Sequence, residues 1–201
     1  MKALDHPRCV KLLDAWEGQD DFYMVQELAA GGELFEYIVS KGHLMEKEAA
    51  AIAKQILEGV AYMHSNDVCH RDLKPQNLLM ASVESSAIKI ADFGLSSLRS
   101  GNSDDSMMTI CGSPDFLAPE LVSLSLHANP EGGYSTKVDV WAVGAILYTM
   151  LAGTPPFANA NVVATLMVIP QGSWQPMIRP QSKTSNSMTK TNLAFSHAIS
   201  R

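Results

Sequence analysis

The chain has 201 residues, 46% of them hydrophobic and 18% charged, which is enough for one domain with a sizeable core and too apolar for a disordered polymer. The formal net charge of −6 is unevenly spread: all 21 acidic residues lie at or before Asp139, and Ala158 to Arg201 carries only basic charges, at Arg179, Lys183, Lys190 and Arg201. An acidic body argues against a general nucleic-acid-binding role, and four scattered cations make a weak electrostatic signal.

In chain order, Val10 to Leu13 and Phe22 to Gln26 read as short strands, with Glu17-Gly18-Gln19-Asp20-Asp21 as a hairpin loop between them. Gly31-Gly32 breaks the chain before an amphipathic helix over Glu33 to Ser40. Glu46 to Ser65 predicts a clearer helix, because Ala49, Ala53, Ile56, Val60 and Met63 recur at three and four residues and form one apolar stripe. Ala87 to Ile90 reads as a short strand. Ser96 to Met107 is polar, contains glycine and two aspartates, and reads as a mobile loop. Ser123 to Gly133 reads as a small surface insertion. Val138 to Leu151 is the longest apolar run, yet it contains Asp139 and is too short to span a bilayer, so a buried helix is expected and no membrane span. After Phe157 come Pro170, Pro176 and Pro180 and then a polar Ser/Thr/Asn-rich stretch, a linker-like composition. Cys9, Cys69 and Cys111 make no CxxC pair and no zinc spacing, which fits a reducing compartment. No apolar signal core follows Met1, so a cytoplasmic or nuclear location is expected.

Three motifs carry chemistry. His70-Arg71-Asp72-Leu73-Lys74-Pro75-Gln76-Asn77 is followed by Asp92-Phe93-Gly94 and then by Ala118-Pro119-Glu120. Singly, an Asp is usually a turn or cap residue and a His a satisfied core group. In this combination and order they resemble the catalytic signature set of the eukaryotic protein kinases. Phosphoryl transfer from ATP needs positioning, metal ions that neutralise charge, and a group that accepts the hydroxyl proton. Carboxylate and amide oxygens suit Mg²⁺, which keeps waters and binds through few protein ligands.

The resemblance implies an α+β fold, a protein kinase-like arrangement with an incomplete small β lobe and a mostly helical large lobe. It covers residues 1–157, with 158–201 as a divergent and disordered tail. It implies that Asp72 accepts the substrate hydroxyl proton, that Lys74 offsets charge on the transferring phosphate, and that Asn77 and Asp92 hold Mg²⁺. Lysine at position 74 resembles the serine/threonine branch. Glu27 and Ala29 look like the hinge on which adenine rests, with Gln26 at the gatekeeper position, Leu79 as the pocket floor and Glu33 near the ribose or a basic substrate residue. His70 and Phe93 fall on the family's regulatory spine, with Leu12 and Met1 above them. Asp139 falls where the family's Asp accepts backbone N–H groups of the catalytic loop, the kind of partner a buried carboxylate requires. Thr109 stands where related kinases are phosphorylated. A phosphate there, added by an upstream activating kinase, would pair with Arg71, and Ser113 would bridge Asp72 and Lys74. Gly-Gly-Glu-Leu-Phe, Ala-Asp-Phe-Gly-Leu-Ser and Leu-Ala-Gly-Thr-Pro-Pro-Phe look most like the calcium/calmodulin-dependent kinase group.

The chain departs from the family pattern in two ways. It contains no Gly-x-Gly-x-x-Gly loop, no Val-Ala-Ile-Lys strand and no regulatory-helix Glu, so Met1 looks like an internal methionine of a longer kinase. No Arg stands in a motif that would pair Glu120, and a buried unpaired carboxylate would be strongly destabilising. One preorganised electrostatic donor is worth about 3 kcal/mol, so the missing phosphate-positioning parts imply at least a roughly thousandfold loss of rate. Two functions therefore stand at this point. One is ATP-dependent phosphoryl transfer to Ser/Thr of a protein substrate; the other is a non-catalytic kinase-like binding or regulatory module.

Overall fold

Helix α2 (Glu46–Ser65) is the centre of the structure. The computed structural model describes residues 4–19, 21–93, 97–98, 114–126 and 135–173, with backbone alone at 97–98 and 124–126. On α2, Ala49, Ile52, Ala53, Ile56, Gly59, Val60 and Met63 are buried, the 3.6-residue stripe that periodicity predicts. Three other elements share one core with that stripe. Helix α1 (Leu34–Lys41) contributes Leu34 and Ile38, strand β5 (Ser85–Ile90) contributes Ile88 and Ile90, and helix α4 (Lys137–Ala152) contributes Ala142, Ile146 and Met150. Helix α4 is buried nearly all round, as expected of the apolar run, and ends at Gly153 with φ 80°. A side chain at Gly153 would be strained and would run into the carbonyl of Gly42, so glycine is required there.

Strands form three separate two-stranded antiparallel sheets. Strand β1 (Leu12–Glu17) pairs with β2 (Phe22–Gln26), β4 (Leu78–Ser82) with β5, and β3 (Val68–Cys69) with β6 (Ser97–Leu98). Strand β6 gives Ser97 and Leu98, in the expected loop over Ser96 to Met107, an extended pairing, and residues 96 and 99–107 lie outside the described residues. The segment between β2 and α1 is sewn along β4: Ala30 N–H donates to Ala81 O, Gly31 N–H to Met80 O at 3.0 Å, and Met80 N–H to Gly32 O at 2.9 Å. Gly31 serves this close approach, because a Cβ there would lie 2.5 Å from Met80 Cβ and 2.6 Å from Ser82 O.

Strand β1 runs on to Glu17, past the expected end at Leu13, and three further features differ from the sequence reading. Helix α3 (Pro119–Leu126) extends through Ser123, so the start of the expected surface insertion is helical. Glu120, on the first turn of α3, is exposed, so no buried-charge penalty attaches to it. The segment after Phe157, expected as a disordered tail, holds helix α5 (Val162–Val168), where the Asn161 side chain caps Ala164 N–H at 2.9 Å. Leu166 and Ile169 pack with Phe157 and with Val122 of α3 in a small second core. Residues 174–201 lie outside the described residues.

The β1–β2 hairpin has no further strand partner among the described residues. Leu13, Trp16, Phe22, Tyr23, Met24 and Val25 on it are all exposed, with Trp16 and Tyr23 stacked 5.5 Å apart. A lone hairpin with apolar faces in water is marginal and open to pairing at its edges. No helix among the described residues is long and apolar enough to cross a membrane.

Candidate active site

The loop between β3 and the 3₁₀ turn Pro75–Asn77 gathers three of the expected residues. Lys74 Nζ lies 2.7 Å from Asp72 Oδ2, in a half-buried ion pair. Asn77 Nδ2 donates to Asp72 O at 2.8 Å and to Asp72 Oδ2 at 3.2 Å. Both donations commit the amide nitrogen, so the oxygen Asn77 can offer elsewhere is Oδ1. Asn77 itself is buried and held by its backbone, since its N–H donates to Lys74 O and its carbonyl accepts from Ala91 N–H at 2.9 Å.

That last bond fixes the fourth residue relative to the loop. Ala91 is bonded to Asn77 on one side, and its carbonyl lies 2.9 Å from the buried His70 Nε2 on the other. Asp92 follows directly, exposed, with φ 59°. Phe93 is buried against His70 with ring centroids 5.3 Å apart. Left-handed conformations at Asp92 and at Arg71 (φ 71°) cost of order 1–3 kcal/mol each for non-glycine residues and persist only where the surroundings over-determine them.

At Arg71 the determinant is Asp139. This carboxylate, 1% exposed in the first turn of α4, accepts from Arg71 N–H at 2.8 Å through Oδ1 and from His70 N–H at 2.9 Å through Oδ2. Burial works to raise its pKa, but hydrogen bonds from His64 and from the His70 and Arg71 amides prevail and hold it below the ordinary aspartate value. The neighbouring Cys69 thiol goes the other way. Burial, reinforced by the Asp139 charge, pushes it up to about 12, so it stays a neutral thiol.

On β4, Leu78 and Met80 are buried and Leu79 faces the opposite side, partly exposed, as the two-residue period of a strand requires. Glu33 bridges to Leu79 through the backbone, so Glu33 and Leu79 are neighbours. The half-buried Ala29 lies in the segment that precedes the Gly31 contact with β4. The Glu27 carboxylate is engaged by Lys89 Nζ and by Lys11 N–H, each at 2.8 Å. Burial opposes ionisation there, and these two donors hold the carboxyl below its ordinary value. Thr109 and Ser113 lie outside the described residues. Among the described residues no cluster of three His, Cys, Asp or Glu forms a metal cage. One exposed carboxylate and one amide oxygen, completed by phosphates and water, are nonetheless the kind of donor set Mg²⁺ takes.

Sequence reasoning did not single out His64, Lys89 or Gln55. His64 Nε2 is 2.8 Å from Asp139 Oδ2, and Lys89 Nζ is 2.8 Å from Glu27 Oε1. Gln55 on α2 accepts from Ile88 N–H at 3.0 Å and donates to Ser86 O at 2.9 Å, which fastens β5 to the helix. All three interactions join positions far apart in the chain, and no local pattern announces them.

Comparison with known proteins agrees with this geometry. The family model described as protein kinase domain matches residues 1–196. The calcium/calmodulin-dependent protein kinase type 1 of Macrobrachium nipponense is 41% identical over 176 residues, 87% of this chain and 48% of that protein. The probable serine/threonine-protein kinase HSL1 of Saccharomyces cerevisiae is 42% identical over 176 residues, 87% of this chain and 11% of that protein. Serine/threonine protein kinase OSK3 of rice is 46% identical over 162 residues, 81% of this chain and 30% of that protein. The chain thus spans half or less of the length of these relatives. With the match running over most of its length and the Asp72, Asn77 and Asp92 segments joined as they are, the chain belongs to the protein kinase domain family.

Proposed function

We propose that this chain carries the phosphoryl-transfer centre of an ATP-dependent serine/threonine protein kinase. The observation that carries the reading is the Asp72 carboxylate, held by Lys74 at 2.7 Å and Asn77 at 3.2 Å on a loop anchored to Asp139. A carboxylate so placed can orient a hydroxyl and take its proton. Lys74 stands beside it as a fixed positive charge for a phosphoryl group. Mg²⁺ would be held by Asp92 and the Asn77 oxygen, and it would supply neutralisation of phosphate charge. The adenine would rest between the Glu27–Ala29 hinge and Leu79, with Glu33 at the ribose side. The substrate is a protein presenting Ser or Thr, and names such as calcium/calmodulin-dependent protein kinase type 1 among the relatives support that class. The test is transfer of labelled phosphate from Mg-ATP to Ser/Thr peptides by a chimera in which a relative's glycine-rich loop and lysine strand precede Met1. No transfer above background from a folded chimera that binds Mg-ATP would reject the proposal.

The 201-residue polypeptide by itself should behave differently. Its hairpin is apolar and uncovered among the described residues, and no glycine-rich loop stands in its sequence. Weak Mg-ATP binding, negligible turnover and a marginal fold are expected, a state in which the chain could act only as a binding module. Thermal melting with and without Mg-ATP, beside a transfer assay, checks this. A sharp melt raised several degrees by Mg-ATP, with turnover near roughly 1–100 s⁻¹, would contradict it.

Regulation follows from Arg71, on which a phosphate at Thr109 would act as a bidentate partner, with Ser113 bridging Asp72 and Lys74. In the active chimera Thr109→Ala should lower turnover several-fold. Wild-type turnover in that variant, with no phosphate found at Thr109 by mass spectrometry, would place the switch elsewhere.

A further inference from the structure

Strand β5 leads into Asp92, and a side chain completes its outer edge. On the edge away from β4, Ile90 pairs with the segment from Arg8 to Val10: Ile90 N–H donates to Arg8 O and Val10 N–H to Ile90 O, each at 2.8 Å. Among the described residues no strand continues that pairing along the rest of β5. Gln55 of α2 stands there instead. Its Oε1 accepts from Ile88 N–H at 3.0 Å, and its Nε2 donates to Ser86 O at 2.9 Å. Its own helix orients the amide, because the same Nε2 donates to Ala51 O at 3.2 Å. Ile88 is fully buried, so without Gln55 its N–H has no water to turn to.

We propose that Gln55 is a positioning residue for Asp92, acting through the tilt of β5 on α2. A two-stranded ribbon such as β4–β5 twists readily and has little stability of its own. Ile88 and Ile90 seat it in the core, but apolar contacts are non-directional. Its direction over the helix is set by two fixed points on β5, the Ile90 pairing and the Gln55 bonds at Ser86 and Ile88. With the Gln55 point gone, the strand pivots about Ile90. Asp92 lies two residues past Ile90, about 7 Å along an extended chain, so a tilt of roughly 10° carries it about 1 Å. Misplacement on that scale costs about 10²-fold in rate where reaction depends on geometry. One backbone bond reports the displacement. Ala91 N–H donates to Asn77 O at 2.9 Å, joining the Asp92 segment to the loop that holds Asp72. Helix α2 thus serves both halves of the site: its C-terminal end leads through β3 into the Asp72 loop, and Gln55 holds the strand that leads into Asp92. The role of Asp92 rests on the phosphoryl-transfer reading, but the first test needs neither nucleotide nor metal.

The experiment is amide hydrogen exchange on the full chain, read at Ile88 and Ala91, with the Ile146 and Met150 amides of α4 as controls. Gln55→Met keeps the length and removes both bonds to β5. Gln55→Glu keeps an acceptor for Ile88 N–H and loses the donor to Ser86 O. Relative to the controls, exchange in the Met variant should rise about tenfold or more at Ile88 and severalfold at Ala91, with a smaller rise at Ala91 in the Glu variant. A rise at Ile88 with Ala91 at the wild-type rate would overturn the proposal, because Gln55 would then satisfy a local edge and nothing beyond it. An equal rise at Ala91 and the control amides would overturn it too. If the Met variant does not fold, Ala91 in the Glu variant decides alone: exchange raised above the controls supports the proposal, and the wild-type rate overturns it. In the active chimera the Met variant should also need about threefold or more Mg²⁺ for half-maximal transfer, at an unchanged KM for peptide. A chimera that transfers no phosphate would reject the kinase reading and leave the exchange result standing.

Discussion

Asp72→Asn in an active chimera should lower turnover by a factor on the order of 10²–10⁴, with the apparent affinity for Mg-ATP nearly unchanged. The substitution keeps size and shape. It removes the basic oxygen that faces Lys74 and Asn77 and puts an amide in its place. An amide cannot take a proton from a substrate hydroxyl at neutral pH, and it offers Lys74 no charge to pair with. The contacts assigned to Glu27, Ala29, Leu79 and Asp92 lie elsewhere, and Asn77 keeps its shorter bond to the backbone carbonyl of residue 72, so nucleotide binding should survive. Turnover and the KM for ATP, measured together on peptide substrate, check the separation. Peptide phosphorylation at the wild-type rate would remove Asp72 from the reaction. A parallel rise in KM with unchanged turnover would recast it as a ground-state binding group.

How far this site could be read from sequence depended on the range of each interaction. That Asp72, Lys74 and Asn77 lie together was legible because they share one short motif, and the structure brings their side chains into contact. Helix α2 was legible because its buried stripe repeats at the helical period, and α4 because its apolar run is long enough to need burial on all sides. Strands β3 and β6 are two residues each, too short for alternation to show. Helix α5 left no stripe, because Val162, Val163 and Met167 are exposed while Thr165 is buried, so its apolar residues do not mark its inner face. Glu120 was misjudged because burial of one residue on a short helix depends on what the helix packs against. His64 and Asp139 are 75 residues apart and Glu27 and Lys89 are 62 apart. Pairings of that kind are set by the tertiary fold alone.

The larger structural effect is expected at Asp139. Asp139→Asn should destabilise the folded chimera by about 2–4 kcal/mol at pH 7. Asparagine can accept one of the two amides now bonded to the carboxylate, through its single oxygen. Its NH₂ group then faces the other N–H, or the His64 Nε2–H, donor against donor in a site with 1% exposure. One buried donor is left unpaired, which is among the costlier single changes a fold can suffer. The pH dependence follows from the direction of the shift. Asp139 has its folded-state pKa held below the ordinary aspartate value of about 3.9, so its contribution is fully present above that value and is lost as pH falls through the folded-state pKa. Other carboxylates with lowered values, Glu27 and Glu48, titrate alike in both proteins and cancel in the comparison. The stability gap between wild type and the Asn variant should therefore hold constant from pH 7 down to about pH 4 and shrink below it. Urea midpoints at a series of pH values measure the gap directly. A gap already absent at pH 7 would mean that the catalytic loop is not anchored by this carboxylate. A gap that stayed constant below pH 3 would mean that the variant's cost comes from shape or packing, with the charge of Asp139 contributing nothing.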